Sequence, residues 1–398
     1  MIPSIFLALA VGASASERID DSEFSSPAIS IQAAAALPVE GRIDGPSIVF
    51  RLSSVAVAAK SAAPGTIAGR LVLADRAGVL RPARLAKTRL IGQDAPAGWT
   101  TVGNDGSFIL TGARAGFPYR IRVSLDNPRW NFANDSSKSY EWETAVLSAG
   151  TDAGTLSPAA GTENAKVGVL HLTYLDALDF LAREATIGWW KNSLTVVWPG
   201  GSDYFSPGDW SLHLTNPLAW DVDLHELGHA VMDGAMVTKP AGGAHKIDEC
   251  YTAELAWSEG WATFFAGAVR LSPDDEDARF EFLVPRRAPI RIENVPADVC
   301  REPRNEWRVS AGLWDLYDRH EDAGDRIALS FLQIWTGILS GKTGSIGDAW
   351  SLLAKTIPQS RRAGEDALIA NFLLPSRSGI TRLPVITAST NALFDGRR

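Results

Sequence analysis

The spacing of apolar residues changes once along this chain, near residue 160, and that change limits the fold more than any single residue does. From Gly65 to about Ser157, short β-prone runs (Thr66–Leu73, Arg84–Ile91, Ser107–Leu110, Tyr119–Ser124 and Thr144–Leu147) alternate with Gly, Pro, Asn and Asp. Asn104-Asp-Gly106 is a turn signal ahead of Ser-Phe-Ile-Leu. Strands of this length and spacing predict a small antiparallel sandwich. After Gly161 the spacing turns helical, with Val167, Leu170, Tyr174, Leu175, Leu178 and Leu181 on one stripe. Ser193–Trp198, stopped by Pro199, and Trp210–Leu214 read as strands. Helical spacing recurs at 217–233, 249–270, 309–320, 325–340, 346–357 and 363–373. A length of 398 residues also argues for more than one compact unit. The expected architecture is multidomain: an N-terminal all-β sandwich over 61–160, an α+β domain over 161–375, and a C-terminal tail over 376–398.

The first residues bear on the compartment. Ile5–Val11 is apolar and Ala13-Ser-Ala15 is a small-x-small pattern, so residues 1–15 read as a secretory signal peptide. No Lys or Arg precedes Arg18, which points to a truncated start. Residues 16–60 have no sustained period; a pro-segment, or an extra strand at Ile48–Leu52, fits them. No stretch reaches the ~20 apolar residues of a spanning helix. The expected location is secreted or periplasmic. Lys+Arg 38 against Asp+Glu 46 leaves a net charge of −8, which removes the electrostatic footprint for nucleic acid. Two cysteines supply neither a disulfide scaffold nor a four-cysteine zinc site. In an exported protein Cys250 and Cys300 can pair, closing a loop of about 50 residues; two isolated buried thiols are the other reading.

Only six histidines are present, so a close pair is informative. Residues 225–229 are His-Glu-Leu-Gly-His. On a helix, positions i and i+4 share a face, and both imidazoles reach one ion. Glu226 lies beside them, placed to take a proton from a metal-activated water. Asn216-Pro217 supplies a start signal, and Trp220, Leu224, Leu227 and Val231 an apolar stripe. A third ligand is required, and His245, Asp248, Glu249, Glu254 and Glu259 follow downstream. The extended pattern His-Glu-x-x-His-x-x-Gly-x-x-His is absent. Glu259 is preferred, because it sits among Ala256, Trp257, Trp261, Ala262, Phe264 and Phe265, where a bare carboxylate is costly without a cation. Glu254, on another face of the same helix, is the alternative.

Two resemblances follow from these residues. Gly69-Arg-Leu-Val, Asp105-Gly-Ser-Phe108 and Tyr119-Arg-Ile-Arg-Val123 resemble the transthyretin-like regulatory domains attached to secreted carboxypeptidases, which implies an accessory role. His225-Glu-Leu-Gly-His229 with Ser258-Glu-Gly-Trp261 resembles the gluzincin metallopeptidases, closest to fungalysin- and thermolysin-like endopeptidases. That likeness, over roughly 165–375, implies a zincin-like catalytic domain holding one Zn2+ on His225, His229 and Glu259, with Glu226 as general base.

The chain departs from the gluzincin pattern twice. Where relatives place an aspartate to orient a ligand histidine, this chain has Ala262 and Thr263, so that support is expected from Asp221, Asp223 or Asp233. Where relatives place a histidine or tyrosine for the tetrahedral intermediate, the matching stretch offers Arg308, with Tyr317 and His320 as further candidates. The function expected is a secreted zinc endopeptidase acting on peptides or proteins, without nucleic acid or a membrane span. An inactive peptidase-like adhesion protein, and a zinc hydrolase of a non-peptide amide or ester, are the alternatives. Trp210–Leu214 is expected to offer a sheet edge to an extended substrate.

Overall fold

A computed structural model describes residues 63, 65–186, 193–321 and 326–372. The expected signal peptide, the 16–60 segment and the 376–398 tail lie outside the described residues.

Among the described residues ten strands precede the first helix: β1 (Thr66–Ala74), β2 (Leu80–Pro82), β3 (Lys87–Ile91), β4 (Thr100–Thr101), β5 (Ser107–Thr111), β6 (Pro118–Ser124), β7 (Trp130–Ala133), β8 (Glu141–Glu143), β9 (Leu147–Ser148) and β10 (Asp152–Leu156). In one sheet β1 carries β10, β2 and β5; the other has the order β4-β3-β6-β8, with β9 also on β6. Period-two burial explains these strands. Phe108 and Leu110 of β5 and Tyr119, Ile121 and Val123 of β6 are buried, while their neighbours in sequence mostly face outward.

Helix α1 (Glu163–Glu184) begins at Thr162, whose hydroxyl accepts from the Ala165 amide. Beyond it lie β11 (Leu194–Val197), β12 (Tyr204–Ser206), β13 (Ser211–His213), α2 (Trp220–Ala235), α3 (Ala253–Arg270), α4 (Glu306–Asp315), α5 (Phe331–Leu339), α6 (Ile346–Thr356) and α7 (Arg361–Asn371). A third sheet has the order β12-β13-β11-β7, with β7 and β13 parallel to β11 and β12 antiparallel to β13. Trp130, Phe132, Leu194, Val196, Phe205 and Leu212 bury one face of it.

Three expectations change here. The division near residue 160 is crossed by β7, which pairs with β11 through a crossover containing α1. Trp210–Leu214 is no sheet edge, since β13 is bonded on both sides; among the described residues the edge beside it is β12. Helix α2 starts at Trp220 rather than at Pro217. Asn216 instead closes a turn, its Oδ1 accepting from the Leu218 amide and its carbonyl from Ala219.

Polar contacts join the early strands to the helices. Asp176 of α1 takes Arg81 at 2.5 Å and Arg270 at 2.7 Å, and Arg84 takes Asp179 at 2.5 Å. His171, fully buried on α1, accepts from the Trp130 indole at 3.2 Å and donates from Nε2 to the Arg84 carbonyl at 2.9 Å.

Candidate metal centre

Two glycines set the distance between the helices that build this site. A Cβ at Gly228 of α2 would meet the Ala262 Cα at 2.8 Å, and one at Gly260 of α3 would meet Val309 Cγ1 at 2.5 Å and the Glu306 carbonyl at 2.9 Å. Helices α2, α3 and α4 therefore pack backbone against backbone. Below them, Trp257, Trp261, Phe264 and Phe265 of α3 are fully buried, and Trp261 rests on Phe331 and Trp335 of α5.

This packing gathers His225, His229 and Glu259, all buried, into one cluster. His225 Nε2 and His229 Nε2 stand 3.0 and 3.1 Å from the same oxygen, Glu259 Oε2, and 3.2 Å from each other. His225 Nδ1 faces the Thr263 hydroxyl at 3.0 Å and His229 Nδ1 the Ser258 hydroxyl at 3.3 Å. Two N–H groups cannot face one another at the Nε2 separation, and both Nδ1 atoms have a hydroxyl acceptor. The consistent tautomers carry hydrogen on Nδ1 and aim both Nε2 lone pairs at a common point. A tetrahedral zinc with bonds of about 2.0–2.2 Å sets its donor atoms roughly 3.4 Å apart, close to these separations. Two imidazoles and a carboxylate also match zinc chemically. Glu254, the alternative third ligand, is exposed.

Burial pushes the Glu226 carboxyl up to about 8, with the charges of Glu259 and Asp203 adding to that and His229 opposing it. Burial lowers His225. At Glu259 burial acts upward, but His229 and His245 outweigh it and hold the group well below the usual carboxylate range. Asp203 fastens the segment after β13 by accepting from the Thr215 amide at 2.6 Å and hydroxyl at 2.8 Å.

Orienting support comes from Thr263 and Ser258 rather than from the three aspartates expected. Asp221 accepts from the backbone amides of Glu281, Phe282 and Leu283 at 2.7, 2.7 and 3.2 Å. Asp223 is buried with both oxygens lacking a hydrogen-bond partner, and burial, with Asp203 and Asp221, pushes it well up. Asp233 pairs with Lys239 at 3.3 Å.

The three residues expected at the transition state are likewise engaged elsewhere. The buried Arg308 guanidinium donates to the carbonyls of Cys300, Asn371, Pro296 and Val299 at 3.1–3.4 Å. Tyr317 packs on Phe264 and Trp314, one helix turn and more beyond Glu259. His320 follows it, its amide donating to Asp318. His245, one of the third-ligand candidates in the sequence, is buried beside the cluster, its Nε2 3.3 Å from Glu306 Oε2 and 3.9 Å from Glu259 Oε2; what sequence reasoning missed is Ser258 and Thr263 as partners of the two ligand imidazoles. Cys250 and Cys300 form a disulfide, so their sulfurs are closed to a metal although Glu302 is near.

Residues 179–335, less than half of the chain, match the protein family described as Mycolysin C-terminal domain. The match supports a thermolysin-like metallopeptidase family. No curated protein matches the chain. A solved structure, a 9R-lipoxygenase from Cyanothece PCC8801, is 10% identical with a TM-score of 0.20, covering 83% of this chain and 69% of that one. At that score the likeness carries no argument. Among the described residues, no helix is long and apolar enough to cross a membrane.

Proposed function

We propose that this protein is a secreted zinc endopeptidase. The observation that carries the reading is the convergence of two Nε2 atoms and one carboxylate oxygen within 3.0–3.2 Å, with buried Glu226 between the two histidines in sequence. When bound by His225, His229 and Glu259, zinc supplies Lewis-acid polarisation of a carbonyl and acidifies water at its open coordination position. Glu226 takes a proton from the attacking water and returns it to the leaving nitrogen. Positive charge held by the ligand set opposes the effect of burial and brings this carboxyl down toward the range in which a base works. Among the described residues strand β12 is the edge of the third sheet, a position that suits an extended peptide and favours internal cleavage. The disulfide supports an oxidising compartment.

The test is metal analysis and casein cleavage by wild type and Glu226→Gln. Expected are one zinc per chain in both and a loss of about 10²–10⁴-fold in cleavage for the variant. Zinc without proteolysis in either protein sinks the peptidase reading and favours a binding protein or a hydrolase of other bonds.

A further inference from the structure

Strands β12 and β13 form a hairpin whose two faces differ. Its register pairs Tyr204 with His213, Phe205 with Leu212 and Ser206 with Ser211. Phe205 and Leu212 are buried in the core, so alternation sets the other two pairs on the opposite, outward face. The turn between the strands is held fast. Trp210, with a φ of 57°, packs edge-on against Phe205 at 5.3 Å, and its carbonyl accepts from the Thr195 amide at 3.1 Å. Among the described residues β12 is the edge of this sheet, and it lies against α2. Asp203, the residue before β12, is one of the charges acting on Glu226, so the Tyr204 end of the strand is the end nearer that carboxylate.

Two chemically distinct patches stand one strand repeat apart on the outward face. At the first, the half-buried rings of Tyr204 and His213 stack with centroids 4.3 Å apart and planes 5° from parallel. Burial lowers His213 against the opposing charge of Asp209, so at neutral pH the stack is a flat, uncharged platform. At the second, the exposed Asp209 carboxylate accepts from the Ser211 hydroxyl at 2.9 Å, and Ser211 Oγ lies 3.1 Å from His213 Nε2. A carboxylate only accepts, so hydrogens run from His213 Nε2 to Ser211 and from Ser211 to Asp209. Burial acts upward on Asp209, but bonds from Ser206 and Ser211 outweigh it and hold the carboxyl below its usual range. A negative charge is thereby fixed beside the Ser206–Ser211 pair.

An extended peptide added to β12 turns every second side chain to the outward face, about 6.7 Å apart, which is the spacing of Tyr204 and Ser206 along the strand. We propose that this face selects the substrate: the Tyr204–His213 platform takes an aromatic side chain, and Asp209 takes a lysine or arginine two residues farther from the bond that is cut. The proposal rests on the peptidase reading above and names its substrate class, peptides with an aromatic and a basic residue in alternate positions. An aromatic side chain opposite Tyr204 extends the stack by one ring, as cross-strand aromatic pairs do. The order of the two positions follows from the Tyr204 end lying nearer Glu226.

The experiment profiles cleavage sites in a peptide library by mass spectrometry, using the zinc-loaded full chain as wild type, Tyr204→Phe, Tyr204→Ala, Asp209→Asn and Asp209→Lys. Expected for wild type are sites with Phe, Tyr or Trp and, two residues farther out on the same side, Lys or Arg. Tyr204→Phe should keep this profile. Tyr204→Ala should lower the kcat/KM ratio of phenylalanine to leucine peptides about fivefold. Asp209→Asn should remove a preference for lysine over glutamate of about fivefold, and Asp209→Lys should reverse it. Asp209 is exposed, so its variants test the second position even where Tyr204→Ala folds poorly. A wild type that cleaves peptides with neither preference overturns the assignment and leaves the peptidase reading standing, as does an unchanged lysine-to-glutamate ratio in Asp209→Lys. A wild type that binds zinc and cleaves no peptide overturns both.

Discussion

An alanine at position 228 tests whether helix separation sets the ligand cluster. Its Cβ would stand 2.8 Å from the Ala262 Cα and 3.1 Å from the Ala262 carbonyl oxygen. Both are backbone atoms, so no rotamer relieves the overlap. Restoring an ordinary contact of about 3.5–4.0 Å moves α2 from α3 by roughly 1 Å. The movement falls one residue from His229 and three from Glu259. The 3.0 and 3.1 Å separations to Glu259 Oε2 would widen by a similar amount, against a tolerance of about 0.2 Å in metal–ligand distances. Overpacking costs about 1–3 kcal/mol and the helix propensity of alanine returns about 1 kcal/mol, so the metal-free protein loses only about 0–2 kcal/mol. Zinc affinity is expected to fall about tenfold or more, the scale of loss when ligands are disoriented. Denaturant unfolding of the metal-free protein and chelator competition for zinc measure the two effects separately. Wild-type zinc affinity in a folded Gly228→Ala protein would refute the reasoning.

Two further outcomes are expected. Thr263→Val leaves the His225 Nδ1 hydrogen without its acceptor, and zinc affinity should drop about 10–100-fold with little change in fold; unchanged chelator competition removes Thr263 from its role. Burial pushes His171 down to about 4 from 6.5, and its Nδ1 is already taken as acceptor by the Trp130 N–H. The unfolded chain therefore binds the proton first as pH falls. Stability is full above pH 6.5 and drops by about 3 kcal/mol in total as the pH is lowered toward 4. Unfolding curves across that window should be shallower in pH for His171→Asn; equal slopes would refute the assignment.

The parts of this molecule legible in the sequence are those fixed by local period or by chemistry at short range. The α1 stripe, the His225–His229 spacing and the apolar surroundings of Glu259 are of this kind, and each keeps its neighbours in the structure. The starts of α2 and α4 were less legible: Asn216 stands before α2 without capping it, whereas Asn305 caps α4 through the Arg308 amide. Strand β7 is four residues long, and its pairing depends on a partner beyond α1. The alternation of Trp130, Asn131 and Phe132 was the signal available for it. His245 was legible only as one of five candidate third ligands downstream of the first motif. Its position is set by Asn305 and the disulfide, which reach it from more than fifty residues away along the chain.

The path of the chain through β7 has a consequence for how this protein can be divided. After β6 the backbone leaves the first two sheets to place β7 beside β11, returns to lay β8 and β9 on β6 and β10 on β1, and only then enters α1. No single cut separates the two halves. A fragment beginning at residue 161 leaves β11 with an unpaired edge and its core without Trp130 and Phe132, a surface that recruits other strands. A fragment cut near residue 160 therefore gives up part of the core beneath the half that carries His225, His229 and Glu259.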